Sequence, residues 1–244
     1  MAAYALIIET CLRKASIRIV HVSWFAIYAL IFLFPFEPEM WQWGAFLFGW
    51  SGCLLPLLLS EGIFGDDIAS GRIRLLATKP IRPMQFYLYR FLGLSLQGAI
   101  HISAAAVLIF ALHGLTGRGS VDHLGLWTVA TWLVFNAWTA LSTSLSVVVK
   151  RAHNSMLLFA AAGMVLFMLS FLTSYFPNGV ATVVFLRALR YTCPSVELLS
   201  EIGLGRCRLA GGLGNAGYSL MLTAVYCAIG VVLLSKREFK GATD

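Results

Sequence analysis

The chain has 244 residues, of which 59% are hydrophobic and only 12% charged, and its mean hydropathy is +0.81. That apolar excess cannot be hidden inside a soluble domain of this size, and it equally excludes an intrinsically disordered chain or a disulfide-rich secreted scaffold. The formal charge of +7 does not point to nucleic acid, because the basic residues stand in short clusters between long apolar runs; the composition is that of an integral membrane protein.

The first residues do not read as a cleavable signal, since Ala2–Ile8 precede Arg13 and Lys14 rather than following them. Tyr4, Ile7, Ile8, Cys11, Leu12 and Ala15 recur at helical spacing, with Glu9, Arg13 and Lys14 between them. This predicts a helix over residues 2–16 lying flat in the cytoplasmic interface; the alternative is a helix packed on other protein.

A bilayer core of about 30 Å needs roughly 20 helical residues to cross it. Six stretches qualify: Ile19–Phe36, Trp41–Leu59, Phe91–Leu112, Leu124–Val149, Ser155–Phe176 and Gly217–Ser235, none carrying Asp, Glu, Lys or Arg. The alternating pattern of a membrane barrel is absent, so an all-α bundle with six transmembrane helices is expected. Thirteen of the 18 Lys and Arg residues fall on the side of the termini. The positive-inside rule then places both termini in the cytoplasm. Trp24, Trp41, Trp43 and Trp127 lie near span ends, as interfacial rings do, whereas Trp132 lies deeper, as a packing residue.

Two connections are longer than a simple link needs. The cytoplasmic one, residues 60–90, holds Glu61, Asp66 and Asp67, then Arg72, Arg74, Lys79, Arg82 and Arg90, interleaved with Ile63, Phe64, Ile68, Ile73, Leu75 and Leu76. Asp66 and Asp67 suit the positive end of a helix that Gly71 can terminate, and Pro83 suits the first turn of a new helix. The segment is either a short amphipathic helix shaped for a groove on a partner or a solvated loop that fixes topology. The external connection, residues 177–216, contains a predicted short helix over Ala181–Tyr191 with Arg187 and Arg190 on one face, and Glu197 and Glu201 further on. Headgroup contact is the favoured reading of the Arg pair over receipt of an anionic cargo group. Cys193 and Cys207 in this segment are a candidate disulfide; Cys11, Cys53 and Cys227 read as reduced thiols.

Polar residues within the spans need partners. Gln97 and His101 share a face of the third span, and Asn136, Thr139, Ser142, Thr143 and Ser146 form a polar, small-residue side of the fourth. Such faces commonly mediate close helix packing through interhelical hydrogen bonds. Gln97, His101, Asn136 and Ser142 are also the candidates for lining a pathway, with a cargo-lining or proton-relay role as the alternative to packing. Met164 and Met168, four apart, read as packing rather than metal binding, and no spacing of Cys or His supports a metal site.

The run from Gly65 through Asp66, Asp67, Gly71, Leu75, Leu76 and Pro80 to Arg82, continuing through Phe86 to Arg90-Phe91-Leu92-Gly93, resembles the type-2 permease family of ATP-binding cassette (ABC) transporters. The likeness is to the subgroup of gliding-motility and nitrous-oxide-reductase maturation permeases. Asp66 and Asp67 match the acidic position, Gly71 the glycine, Leu75 and Leu76 the leucine pair, Pro80 the proline and Arg90 the usual Lys, while Arg72 stands where Thr or Ser is frequent. The resemblance implies one permease domain over residues 1–244: an interfacial helix (1–18), six spans, a cytoplasmic coupling helix within 60–90, and short external helices within 177–216. It further implies a subunit of the inner membrane that is not itself an enzyme and has no cofactor of its own. ATP and Mg would be held by a separate cytoplasmic ABC ATPase dimer, paired with a second permease copy or a related permease. Consistent with that, no Gly-x-x-x-x-Gly-Lys-Ser/Thr loop occurs. The expected ATPase-coupling residues are Asp66, Asp67, Arg72 and Arg74 as polar contacts and Ile68, Ile73 and Leu75 as anchors. Export of a substrate is the leading expectation. A subunit that relays ATPase motion to an external or periplasmic partner protein is the alternative, and a membrane enzyme is disfavoured because no nucleophile–base pair emerges.

Overall fold

The computed structural model describes residues 2–12, 15–33, 39–69, 82–116, 124–149, 153–176, 179–192 and 209–236. Among these the chain is helical, with no strand. The helices are α1 (Ala2–Leu12), α2 (Ala15–Leu33), α3 (Glu39–Leu59), α4 (Ile63–Ala69), α5 (Pro83–Thr116), α6 (Leu124–Val148), α7 (His153–Tyr175), α8 (Val180–Thr192) and α9 (Leu209–Lys236). Three of them contain stretches long and apolar enough to cross a membrane, Pro83–Leu115, Leu124–Val148 and Ala216–Lys236. The protein is a multi-pass helical membrane protein.

Each boundary has a local cause. α5 begins at Pro83, where a missing N–H costs nothing, and the Gln85 side chain reaches back to accept from the Arg82 backbone N–H at 3.2 Å, half of a capping box. At 34 residues α5 is about 51 Å long, so it extends well beyond the Phe91–Leu112 core expected of it. α9 likewise starts eight residues before the expected Gly217.

α6 is the central helix: α3, α4, α5, α7 and α9 all pack on it. Its buried side combines Leu133, Val134 and Phe135 with Asn136, Thr139, Ser142, Thr143 and Ser146. The outer helices turn apolar side chains outward, Leu92, Leu96, Ile100, Val107 and Phe110 on α5, Leu220, Met221, Val225, Ile229 and Val232 on α9. Apolar faces of that extent belong in lipid rather than water. Met164 and Met168 are exposed on α7, so the packing role expected of them within this chain does not hold.

α1 packs along α5 with Leu6 and Thr10 buried, while Tyr4 and Ile8, expected on the apolar face, are exposed and open to lipid. The helix is apolar nearly all round, so periodicity alone did not fix its rotation; contact with α5 did.

The approach of α5 to α6 depends on Gly98, where a Cβ would overlap the Phe135 ring. Gly98→Val should lower stability in detergent by about 1–3 kcal/mol through overpacking, and Phe135→Ala in the same chain should restore part of the loss. Gly114→Ala, at a site with nothing within 4 Å of the new Cβ, should be neutral or slightly stabilising. Thermal unfolding of the three variants beside the parent chain checks both.

Candidate functional site

The segment after α3 is built around a hydrogen-bonded turn. The Pro56 carbonyl accepts from the Ser60 backbone N–H at 2.9 Å and from its hydroxyl. Gly62 then takes φ +64°, a left-handed conformation that glycine adopts without strain. α4 follows. It starts three residues before the acidic pair, so Asp66 closes its first turn and Asp67 lies inside it.

α4 is seated on α6. The Phe64 and Gly65 backbone N–H groups, left open at a helix start, donate to Ser146 Oγ at 3.1 and 3.3 Å. One turn earlier on α6, Ser142 Oγ meets Ser60 Oγ. The Phe64 ring lies parallel to Tyr87 of α5 at 5.1 Å and edge-on to Phe86 at 5.8 Å. Thr143 donates to the Thr139 carbonyl and accepts from the Tyr87 hydroxyl at 2.9 Å.

Asp67 faces the other way, into the protein. Its side chain is 0% exposed and Oδ2 accepts from Arg90 Nη2 at 2.8 Å; the Arg90 side chain is 3% exposed. Arg90 Nη1 donates to Thr10 Oγ1 at 2.9 Å, Thr10 having given its own proton to the Leu6 carbonyl at 2.7 Å. Glu9 Oε1 stands 3.8 Å from Arg90 Nη2, and the guanidinium lies over the Phe86 ring at 5.5 Å. One arginine therefore ties α1, α4 and α5 together. Beside it, burial pushes the Cys11 thiol above its usual pKa, which keeps the proton in place to donate to the Gly93 carbonyl at 3.0 Å.

Further along α5, Gln97 and His101 do share a face, and both meet His21 of α2. His101 Nδ1 lies 2.6 Å from His21 Nδ1, and Gln97 Nε2 lies 3.4 Å from His21 Nε2. Phe25 stacks on His101 at 4.7 Å. His21 was not among the expected residues. Its signal in the sequence was a histidine within an apolar span, in a chain with only five.

The expected site residues thus divide. Asp67 was expected on a partner surface; its carboxylate is closed inside this chain, because Arg90 is the counter-charge within reach. Asp66 and Ile68 are half-buried on α4. Arg72, Ile73, Arg74 and Leu75 lie outside the described residues, as do Cys193 and Cys207. Ser142 is fully buried, its Oγ on that of Ser60 in the turn after α3. Asn136 is buried and donates to the Trp132 carbonyl at 2.9 Å, its Oδ1 without a hydrogen-bond partner. Among the described residues Cys11, Cys53 and Cys227 are reduced thiols, outside any disulfide. Among the described residues no group of three or more His, Cys, Asp or Glu is placed to hold a metal ion.

No protein-family model matches the chain, and a search of curated proteins returns no match.

Asp67→Ala leaves the Arg90 guanidinium buried without its counter-charge and should cost about 3–5 kcal/mol. Asp67→Leu combined with Arg90→Met, which removes both charges, should recover most of that loss. Thr10→Ala, which deletes one hydrogen bond to the guanidinium, should cost about 1–3 kcal/mol. Thermal unfolding of each variant beside the parent chain in mild detergent reads all three.

Proposed function

We propose that this chain is the transmembrane permease subunit of an ABC transporter, carrying a substrate outward across the inner membrane while a separate cytoplasmic ATPase dimer hydrolyses ATP. The observation that carries the reading is the seating of α4. A seven-residue helix between two long helices is held rigidly from inside, by the Asp67–Arg90 pair and by Ser142 and Ser146. A helix gripped in this way passes on a push instead of absorbing it.

The motif resemblance and the order of the helices support the same reading. A short helix packs on α5 ahead of α2, α4 precedes the longest helix, and α8 follows α7. In this proposal both termini are cytoplasmic and six spans cross the membrane. The ATPase docks on the outward side of α4, at Asp66 and Ile68, and on the segment continuing through Arg72, Ile73, Arg74 and Leu75. Asp67 is the inner anchor instead of a docking contact. Displacement of α4 would move α5 and α1 through Arg90, and α6 through its serines. The permease supplies no covalent chemistry; ATP and Mg stay on the ATPase. A second permease chain completes the pathway.

Gentle detergent purification followed by mass spectrometry should find a cytoplasmic ATPase in a one-to-one ratio with this chain. Asp66→Lys should reduce its retention at least about tenfold, the equivalent of 1.4 kcal/mol, while the chain stays folded with a stability loss of no more than about 1 kcal/mol. A folded chain that retains no ATPase across several detergents overturns the proposal. Co-purification of an external protein together with the ATPase shifts it toward mechanical transmission.

A further inference from the structure

Where α2 meets α5, two imidazoles face each other through their Nδ1 atoms at 2.6 Å. Two lone pairs or two N–H groups at that separation repel, so one proton stands between the rings. Hydrogen bonds from nitrogen ordinarily settle near 2.9–3.0 Å, and shortening accompanies a charge on one partner. His101 is 2% exposed, His21 half-buried, and two polar atoms of the cluster, His101 Nε2 and Gln97 Oε1, make no hydrogen bond.

The proton inventory can be followed around the cluster. With both rings neutral, the Gln97 amide donates to His21 Nε2. The His21 proton is then on Nδ1, and Nδ1–H donates to His101 Nδ1. His101 keeps its own proton on Nε2, with no acceptor, and Gln97 Oε1 stays idle. Addition of one proton changes this. Both Nε2 atoms become N–H groups, the third proton lies between the Nδ1 atoms, and a half-turn of the Gln97 amide brings the idle Oε1 onto His21 Nε2–H. Amide orientation follows its hydrogen bonds, so the turn is available. The Phe25 face on His101, 25° from parallel, favours the cationic ring.

We propose that His21 and His101 form a proton-binding site between α2 and α5: the pair, already joined by one proton between its Nδ1 atoms, takes up one further, charge-bearing proton from bulk solvent so that both Nε2 atoms carry N–H, with Gln97 as the partner that reorients onto His21 Nε2–H. The site does not rest on the transporter reading. The neighbouring ionisable groups are few. α1 brings the Cys11 thiol, bonded to Gly93 one turn from Gln97, and Glu9, which faces Arg90. Arg90 itself, closed on Asp67, lies 11 residues or about 16 Å along α5 from His101. On α2, Arg18 stands three residues before His21 and Tyr28 takes its bond from Trp24. α3 carries Glu39 in its first turn and the Cys53 thiol packed toward α6. α6 offers the neutral Trp132, bonded to the Ser95 carbonyl, and Asn136, bonded to its own helix.

The test is a titration of the intact chain, labelled with nitrogen-15 histidine in lipid nanodiscs, from about pH 8 to about pH 4, with the five histidines assigned by single replacement. The expected result is that His21 and His101 shift together, with one midpoint for the pair and a scalar coupling between the two Nδ1 nuclei. His101→Leu should abolish the coupling and lower the His21 midpoint by about one pH unit or more. Phe25→Leu, which keeps both imidazoles, should lower the shared midpoint while the coupling persists. Two independent midpoints, no coupling in the parent chain, rings that stay neutral to the end of the titration, or a His21 midpoint untouched by His101→Leu would each overturn the proposal.

Discussion

A guanidinium shut away from water is costly unless its charge and its N–H groups are answered nearby, and Arg90 meets that demand by drawing three helices onto one point. Asp67 supplies the counter-charge from α4, Thr10 an oxygen from α1, and Phe86 a ring face from the preceding turn of α5. Because Asp67 has no exposed surface, α4 cannot roll or slide without breaking the pair. The position of the short helix, and with it the face it turns outward, follows from this one ionic contact.

The polar side of α6 completes the arrangement in a different way. Hydroxyls of Ser142, Thr143 and Ser146 reach the α3–α4 turn, Tyr87 and the first N–H groups of α4. Small side chains let the helices approach closely while still giving buried backbone groups their partners. Uncharged hydroxyls thus fix α4 against α6, and an ion pair fixes it against α5. Two unlike attachments, to α6 and to α5, hold the helix in place, which is what the proposed coupling role would require of it.

Much of this was legible in the sequence. Runs of about 20 uncharged apolar residues marked the cores of the long helices, though α5 and α9 both begin eight residues before the apolar run does, and Pro83 and Ala181–Tyr191 fell where expected. The α6 face from Asn136 to Ser146 was correctly read as a packing surface, because serine and threonine at helical spacing in an apolar run have few other uses. Less legible was rotation about the helix axis. α1 and α5 are apolar on nearly every side, so no stripe marks the face that will be covered. The burial of Thr10 against α5 therefore could not be anticipated.

The sequence by itself determined that this is a helical membrane protein and where its helices lie, since those depend on local composition and on spacing within a few turns. Only the tertiary structure decided which of two adjacent aspartates is enclosed, and that His101 and Gln97 find His21. Those contacts join residues 23, 80 and 76 positions apart. They follow from how helices cross in space, which neighbouring residues along the chain do not encode.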